Sequence, residues 1–355
     1  MHKLQDTFKN KRVFLTGHTG FKGAWMLQIL HKLGAIVKGY SLAPENENDL
    51  YHQINGDELC YASVTGDLLD EHLLKGELIR FQPDFVFHLA AQSLVRRSYE
   101  QPAATFSVNV MGTINVLEAL RGLSNSCVGL MVTTDKVYDN TEAGIAFREG
   151  DKLGGYDPYS ASKAATEIAI SSYRNSFFHP ELYSQHQKSI ASVRAGNVIG
   201  GGDYSTDRII PDIVRSVQRE KVVQLRNPQA TRPWQHVLEP LHAYLSIAQA
   251  MVQQPLEFAT AFNVGPEKND ILNVETVTKK FIQYYGQGTY QVDTQAPKLH
   301  EAQTLLLDNS KIKESLHWQP KFNADQAIAL TAQWYAHQEV SAREKCTQQI
   351  IQYGF

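Results

Sequence analysis

The chain has 355 residues, 43% of them apolar and 20% charged, with a formal net charge of -3. That balance excludes a disordered chain, and the lack of a basic bias argues against a nucleic-acid or membrane-surface binder. The length exceeds what one hydrophobic core usually serves, so two lobes are expected.

The segment from Met1 to Arg12 is polar, with no apolar core of signal-peptide length. Val13 to Thr16 reads as a first strand, and Gly17-His-Thr-Gly-Phe-Lys-Gly23 follows it. An amphipathic helix then runs through Trp25, Leu27, Leu30 and Leu33, with Gly34 as its stop. Ile36 to Tyr40 is a second strand, completing a βαβ unit. The alternation continues with a helix over Leu68 to Phe81 and a buried strand at Phe85 to Leu89. A helix over Pro102 to Leu120 and a strand at Val128 to Thr133 come next. A long helix over Pro158 to Phe178 and a strand at Ile190 to Val193 complete the series.

This order predicts an α/β protein with a doubly wound parallel sheet of Rossmann type. After Gly196 the pattern loosens, although Val274 to Tyr285 and Ala324 to His337 read as helices. Residues 1–195 are expected to form a dinucleotide-binding domain, with 236–266 returning to it. Residues 196–235 and 267–355 are expected to form a smaller C-terminal substrate-binding lobe. No stretch approaches the roughly 20 apolar residues of a membrane span. Cys60, Cys127 and Cys346 lie too far apart for a metal or disulfide framework, so no metal is expected and a cytoplasmic setting fits.

The spacing Gly17-x-x-Gly20-x-x-Gly23, between a strand and a helix, suits a tight turn whose amides meet a pyrophosphate at a helix N-terminus. A glycine-rich turn without a ligand is the plainer alternative. Thr19, Phe21 and Lys22 share this turn, and His18 sits beside it. The acidic residue that usually follows the second strand is missing, because the segment there is Lys38-Gly-Tyr-Ser-Leu. Residue chemistry alone therefore does not separate NAD from NADP. Asp67 either meets the adenine or caps a helix starting at Leu68.

Tyr159-Ser-Ala-Ser-Lys163 sets a phenol and an ammonium on one helical face. An adjacent ammonium is expected to lower the tyrosine pKa and make it a base for hydride transfer. The spacing alone is close to what chance provides in a chain with 16 tyrosines. Its context is the strand ending at Thr133-Thr134, which delivers a hydroxyl to the carboxyl end of the sheet, where such folds bind ligands.

Together these residues resemble the extended short-chain dehydrogenase/reductase superfamily. Longer stretches are similar to its CDP-D-glucose 4,6-dehydratase members: TGHTGFKGAW from Thr16, HLAAQSLVRRSY from His88, TTDKVYDN from Thr133, GGYDPYSASKAATE from Gly154, RAGNVIGGGD from Arg194 and TRPWQHVLEPLHAYL from Thr231. The resemblance implies conversion of CDP-D-glucose to a 4-keto-6-deoxy sugar and water through a tightly held NAD that is reduced and reoxidised in each turnover. It also implies a homodimer or higher homo-oligomer.

On that resemblance Tyr159, Lys163 and Thr134 serve the redox step. Asp135 looks like the acid of the elimination, and Lys136 takes the base position. A lysine base must be neutral, and a nearby carboxylate favours its charged form, so Lys136 as base and Lys136 as enolate stabiliser both stay open. Gly17, Thr19, Gly20, Phe21, Lys22, Gly23, Asp67 and Leu68, with Leu89, Ala90 and Ala91 after the fourth strand, are expected around the cofactor, together with Tyr159 and Lys163. Gln92, Ser93, Asn197, Arg208, Arg232 and Gln235 are expected around the substrate, arginine because its planar fork suits a phosphate. A sugar-nucleotide 4-epimerase, a dehydratase for another nucleotide sugar, and a redox-silent nucleotide sensor are the rival readings. The Asp135-Lys136 pair has no use in an epimerase, and the tyrosine, lysine and threonine have none in a sensor.

Overall fold

The computed structural model describes residues 2–293 and 304–355; the part of the expected substrate lobe at 294–303 lies outside them. Its centre is a seven-stranded sheet in which every pairing is parallel. The first six strands are β1 (Arg12–Thr16), β2 (Ile36–Ser41), β3 (Ala62–Thr65), β4 (Phe85–His88), β5 (Cys127–Val132) and β6 (Lys188–Ala195). The spatial order is Ala261–Val264, β6, β5, β4, β1, β2, β3. β4, β5 and β6 are buried at every position, as strands covered on both faces must be. The order reverses between β1 and β4, so the loops after these two strands part and open a crevice at the carboxyl edge.

The helices start and stop for local reasons. Phe21–Lys32 begins at Gly20 and ends before Gly34, whose φ of +79° turns the chain toward β2. Glu71–Phe81 starts three residues later than the sequence suggests. Asp70 is its N-cap, accepting from Leu73 N at 3.0 Å. Pro158–Ser176 opens on Asp157, which accepts from the Ser160 amide at 2.9 Å, with Pro158 in the first turn. Pro102–Arg121 is one helical run interrupted by a π turn at Ser107–Met111. This run is apolar, and half of its apolar window is buried inside the protein, as in a core helix.

Beyond β6 the chain forms helices Ile209–Gln218, Val274–Tyr285 and Ala324–Ala336 and three small strand pairs. These pair Val198–Ile199 with Gln235–His236, Thr231–Arg232 with Leu272–Asn273, and Val223–Leu225 with Tyr290–Val292. The helix Leu238–Gln253 and the strand Ala261–Val264 lead back into the main sheet, the strand pairing with β6.

The last helix, Ala342–Tyr353, lies against Phe21–Lys32 rather than within the substrate lobe. Gln28 Nε2 donates to Arg343 O and Thr347 Oγ1, both at 2.7 Å. The cause is an apolar stripe at helical spacing: Ala342, Cys346, Ile350 and Tyr353 are all buried. One apolar cluster consequently takes in residues from Leu4 to Phe355. The two lobes expected from length share a core.

Candidate active site

A cleft of about 1410 Å³ lies along the carboxyl edge of the sheet. That exceeds a typical single-ligand site of roughly 300–1,000 Å³, and suits a dinucleotide and a nucleotide sugar end to end. Its floor at one end is the glycine turn. Gly17 has φ +76°, and a Cβ there would stand 2.7 Å from Ala90 N. A Cβ on Gly23 would stand 1.9 Å from Gly17 O, so the helix can start only with glycine at that point. Gly20 meets nothing closer than 3.5 Å and caps the helix with no side chain of its own. The helix N-terminus is left open toward the cleft, a cradle that fits a diphosphate.

Thr19, Phe21, Lys22, Asp67, Leu68, Leu89, Ala90 and Ala91 line the same cleft. Thr19 Oγ1 bonds Ser41 Oγ at 2.8 Å and donates to Leu42 O at 3.0 Å, so hydroxyls stand where an acidic residue is usual. Asp67 Oδ1 accepts from Leu69 N at 2.9 Å within a turn. Asp67 is therefore not the helix cap, a role that falls to Asp70.

His18 does not face the cleft. Its ring lies on Gly39, where an added Cβ would be 2.3 Å from His18 Cδ2, and its Nε2 bonds Ser63 Oγ at 2.8 Å. Burial lowers its pKa to about 4, so it is a neutral core histidine. Lys22 reaches over the Tyr244 ring. Burial first, then the cations Arg208 and Lys163, pull its pKa down to about 7. Its ammonium thus senses the reaction end of the cleft, beyond the glycine turn that carries it.

Across the crevice, Tyr159 and Lys163 line the cleft from the helix Pro158–Ser176 and Thr134 and Lys136 from the turn after β5. Lys163 Nζ donates to Val132 O at 3.3 Å, and burial lowers its pKa to about 8. Tyr159 differs from the sequence expectation. Its pKa is raised to about 12, burial being the main cause; Thr134 and Arg208 act the other way, and Asp135 adds to the rise. Burial of the phenolate outweighs the help of the Thr134 hydroxyl and Arg208.

Asp135 is wholly buried and is not among the cleft-lining residues. Its Oδ1 accepts from Thr134 Oγ1 at 3.0 Å and from Lys136 Nζ at 2.9 Å, and its Oδ2 has no partner. Lys136 Nζ also donates to Asn197 Oδ1 at 3.2 Å. Asn197 thereby joins the site.

Of the other expected substrate residues, Gln92, Ser93, Arg208 and Arg232 line the cleft. Arg208 pairs with buried Asp203 at 2.9 Å and donates to Ser93 Oγ at 3.0 Å. Gln92 spends its amide locally, accepting from Leu94 N at 2.6 Å and donating to Thr105 Oγ1 at 3.0 Å. Gln235 does not reach the cleft: it is buried and its Nε2 donates to Val264 O at 3.3 Å.

Sequence reasoning missed Asn109 and Asp203. Asn109 sits in the π turn, donates to Ser162 Oγ at 2.8 Å and accepts from Gln92 N at 2.9 Å. It ties the Tyr159 helix to the loop after β4. An asparagine inside an otherwise apolar helical run was the signal available.

With this geometry, residues 14–331 match the family described as GDP-mannose 4,6 dehydratase, and the chain belongs to that family, within the extended short-chain dehydrogenase/reductase superfamily. The CDP-glucose 4,6-dehydratase of Salmonella typhimurium strain LT2 is 43% identical over 331 residues, covering 93% of this chain and 92% of that protein. The dTDP-glucose 4,6-dehydratase of Xanthomonas campestris pv. campestris strain B100 is 27% identical, covering 90% of this chain and 92% of that one. Among solved structures, the dTDP-glucose 4,6-dehydratase of Streptomyces venezuelae with NAD and TYD bound superimposes with a TM-score of 0.77. The match covers 92% of this chain and 98% of that chain at 22% identity, so what it shares is the fold.

Proposed function

We propose that the chain is an NAD-dependent CDP-D-glucose 4,6-dehydratase, a lyase that forms CDP-4-keto-6-deoxy-D-glucose and water. The observation that carries this reading is the redox group of Tyr159, Lys163 and Thr134 beside an elimination pair of Asp135 and Lys136, at the end of a cleft that begins on a diphosphate cradle. The 43% identity to a CDP-glucose 4,6-dehydratase supports the choice of nucleotide. Gly17, Gly20, Gly23 and Lys22 would hold the NAD diphosphate end, with Leu89, Ala90 and Ala91 beside it. The chemistry bound NAD supplies is reversible hydride acceptance.

Tyr159 takes the 4-hydroxyl proton, Thr134 hydrogen-bonds the same oxygen, and Lys163 supports the phenolate. The 4-ketone then acidifies the proton at C5. The Lys136–Asp135 contact supplies both partners of the elimination by one proton move. Transfer along the 2.9 Å hydrogen bond turns an ammonium and a carboxylate into a neutral amine and a carboxylic acid. The Lys136 amine takes the C5 proton, the Asp135 proton passes through the Thr134 hydroxyl, which lines the cleft, to O6, and water leaves. Lys136 returns a proton to C5 as the product is completed. The proton held by Tyr159 then replaces the one Asp135 gave, through Thr134, whose hydroxyl contacts Asp135.

Asn197 holds Lys136 in place, and Arg208 and Arg232 bind the substrate diphosphate. The enzyme is read as a homodimer or higher homo-oligomer. Assay of CDP-, dTDP-, UDP- and GDP-hexoses for 4-keto-6-deoxy product tests the reading. Selective turnover of CDP-glucose is expected; preference for another nucleotide, or a C4 epimer as product, would overturn it.

A further inference from the structure

The helix and the turn that meet at the candidate site touch through a buried ion pair. Glu167 lies one helical turn beyond Lys163, itself one turn beyond Tyr159, so all three share a face. The Glu167 carboxylate accepts from Thr133 Oγ1, from Ser192 Oγ at 2.9 Å and from Arg194 Nη2 at 2.8 Å. Arg194, on β6, also donates through Nη1 to Tyr138 Oη and to Glu149 O, both at 2.9 Å. Tyr138 in turn donates to Asn263 Oδ1 at 2.6 Å.

Thr133 and Tyr138 flank the segment Thr134-Asp135-Lys136-Val137. Both ends of that turn are thus fastened to one ion pair whose carboxylate rides on the helix of Tyr159 and Lys163. The pair is almost fully buried, with side-chain exposures of 3% for Glu167 and 5% for Arg194. A buried ion pair is weak as a source of stability, since apolar residues of equal volume often serve the fold as well. What it supplies is fixed geometry and charge.

Resting on the roles given above to Tyr159 and Lys163, we propose that Glu167 and Arg194 are positioning residues. They hold the Tyr159–Lys163 helix in register with the Thr134–Lys136 turn, and the Glu167 carboxylate keeps Lys163 an ammonium. The charged and titratable groups around Lys163 support the second part. Lys22, on the helix Phe21–Lys32, and His88, on β4, both sense the Lys163 charge, and His88 is held neutral by burial. Glu167 is the anion that opposes the burial of Lys163. Arg194 and Arg174 face Glu167, and Asp135, Asp157 and Arg208 face Tyr159.

The test is the pH dependence of kcat for three variants, with the thermal midpoint of each. Glu167→Gln keeps the shape and most hydrogen bonds and loses the charge. Its alkaline limb is expected to move down by about one pH unit as Lys163 deprotonates earlier. Glu167→Asp restores the charge and is expected to restore the limb, with kcat still reduced. Thr133→Val frees one end of the turn and leaves the ion pair; a fall in kcat of about ten-fold with KM little changed is expected, with the limb unmoved. Loss of stability and rate in Glu167→Gln without movement of the limb overturns the charge role. Unchanged kcat in Thr133→Val overturns the positioning role, even should the glutamine variant fail to fold. Tyr159→Phe is the reference. If it turns over normally, the roles of Tyr159 and Lys163 fall; if it is inactive while the Glu167 variants behave as wild type, only this inference falls.

Discussion

Replacing Lys136 by methionine keeps the stem and removes the ammonium. That ammonium donates to Asp135 Oδ1 at 2.9 Å and to Asn197 Oδ1 at 3.2 Å. Asp135 is fully buried, so the variant leaves its carboxylate with Thr134 as the one side-chain donor. Breaking one side of a buried pair costs about 3–5 kcal/mol, and the partial exposure of Lys136 argues for the lower end. The rate should fall further than the stability. Loss of the base, and of the proton that makes Asp135 an acid, removes an acid–base contribution of about 10²–10⁴, or roughly 3–5 kcal/mol of barrier. The first step does not use Lys136. Single-turnover absorbance should show bound cofactor reduced and left in that state, with no C5 exchange from deuterated water. A second substitution, Asp135→Asn, should recover most of the lost stability and none of the turnover. If Lys136→Met exchanges the C5 proton and turns over at normal rates, Lys136 has no part in the elimination. If its cofactor is not reduced, the division between redox and elimination groups is wrong.

Burial also sets an acid limit on the fold. His18, His88, His236 and His242 are pulled from 6.5 to about 4, 3, 3 and 4. Between 6.5 and those values the unfolded chain binds more protons than the folded one, so stability falls as pH drops through that window. The slope is up to about 1.4 kcal/mol per pH unit for each histidine; a urea midpoint that stays flat from about pH 7 to about pH 5 would contradict it. Two glycine substitutions should separate fold from cofactor. Gly20→Ala has room for its methyl and should fold with weakened NAD binding by calorimetry, whereas Gly23→Ala drives a Cβ to 1.9 Å from Gly17 O and should lower the thermal midpoint sharply. Arg208→Met should raise KM for the nucleotide sugar about 10–100-fold, the worth of one or two charge-assisted hydrogen bonds. It should also move the acid limb of kcat upward, since Arg208 favours the Tyr159 phenolate; a change in KM with no movement of that limb would remove Arg208 from the redox step.

What the sequence disclosed depended on how far each signal reached along the chain. Phe85–His88 and Cys127–Val132 are buried at every position, and such strands appear as unbroken apolar runs. Val274–Tyr285 ends at Gly286, in the left-handed conformation that helix C-termini favour, so its bounds were legible from local chemistry. The Glu71–Phe81 helix was misplaced by three residues because Asp67 and Asp70 both look like caps, and only the hydrogen bond from Leu73 N separates them. The strand Thr231–Arg232 has two residues and exists through its pairing with Leu272–Asn273, a contact no local pattern announces.

The same distinction governs the site. Tyr159, Lys163 and Thr134 were legible because helical spacing and a strand end specify where they go. His18 and Gln235 sit in motif segments of the same kind, yet His18 folds under onto Gly39 and Gln235 turns toward Val264 O. Asn109, Glu167 and Arg194 take their meaning from partners on other elements, so local pattern marks Asn109 and Glu167 as unusual or well placed without saying what they hold. Charge was the least legible property. Proximity of Lys163 suggested a low Tyr159 pKa, but burial raises it to about 12 and lowers Lys163 to about 8. Both shifts favour the uncharged forms, and the anion that resists the second is Glu167. The chemistry of the tyrosine thus rests on a carboxylate eight residues further along its own helix, anchored to the strand and turn it faces.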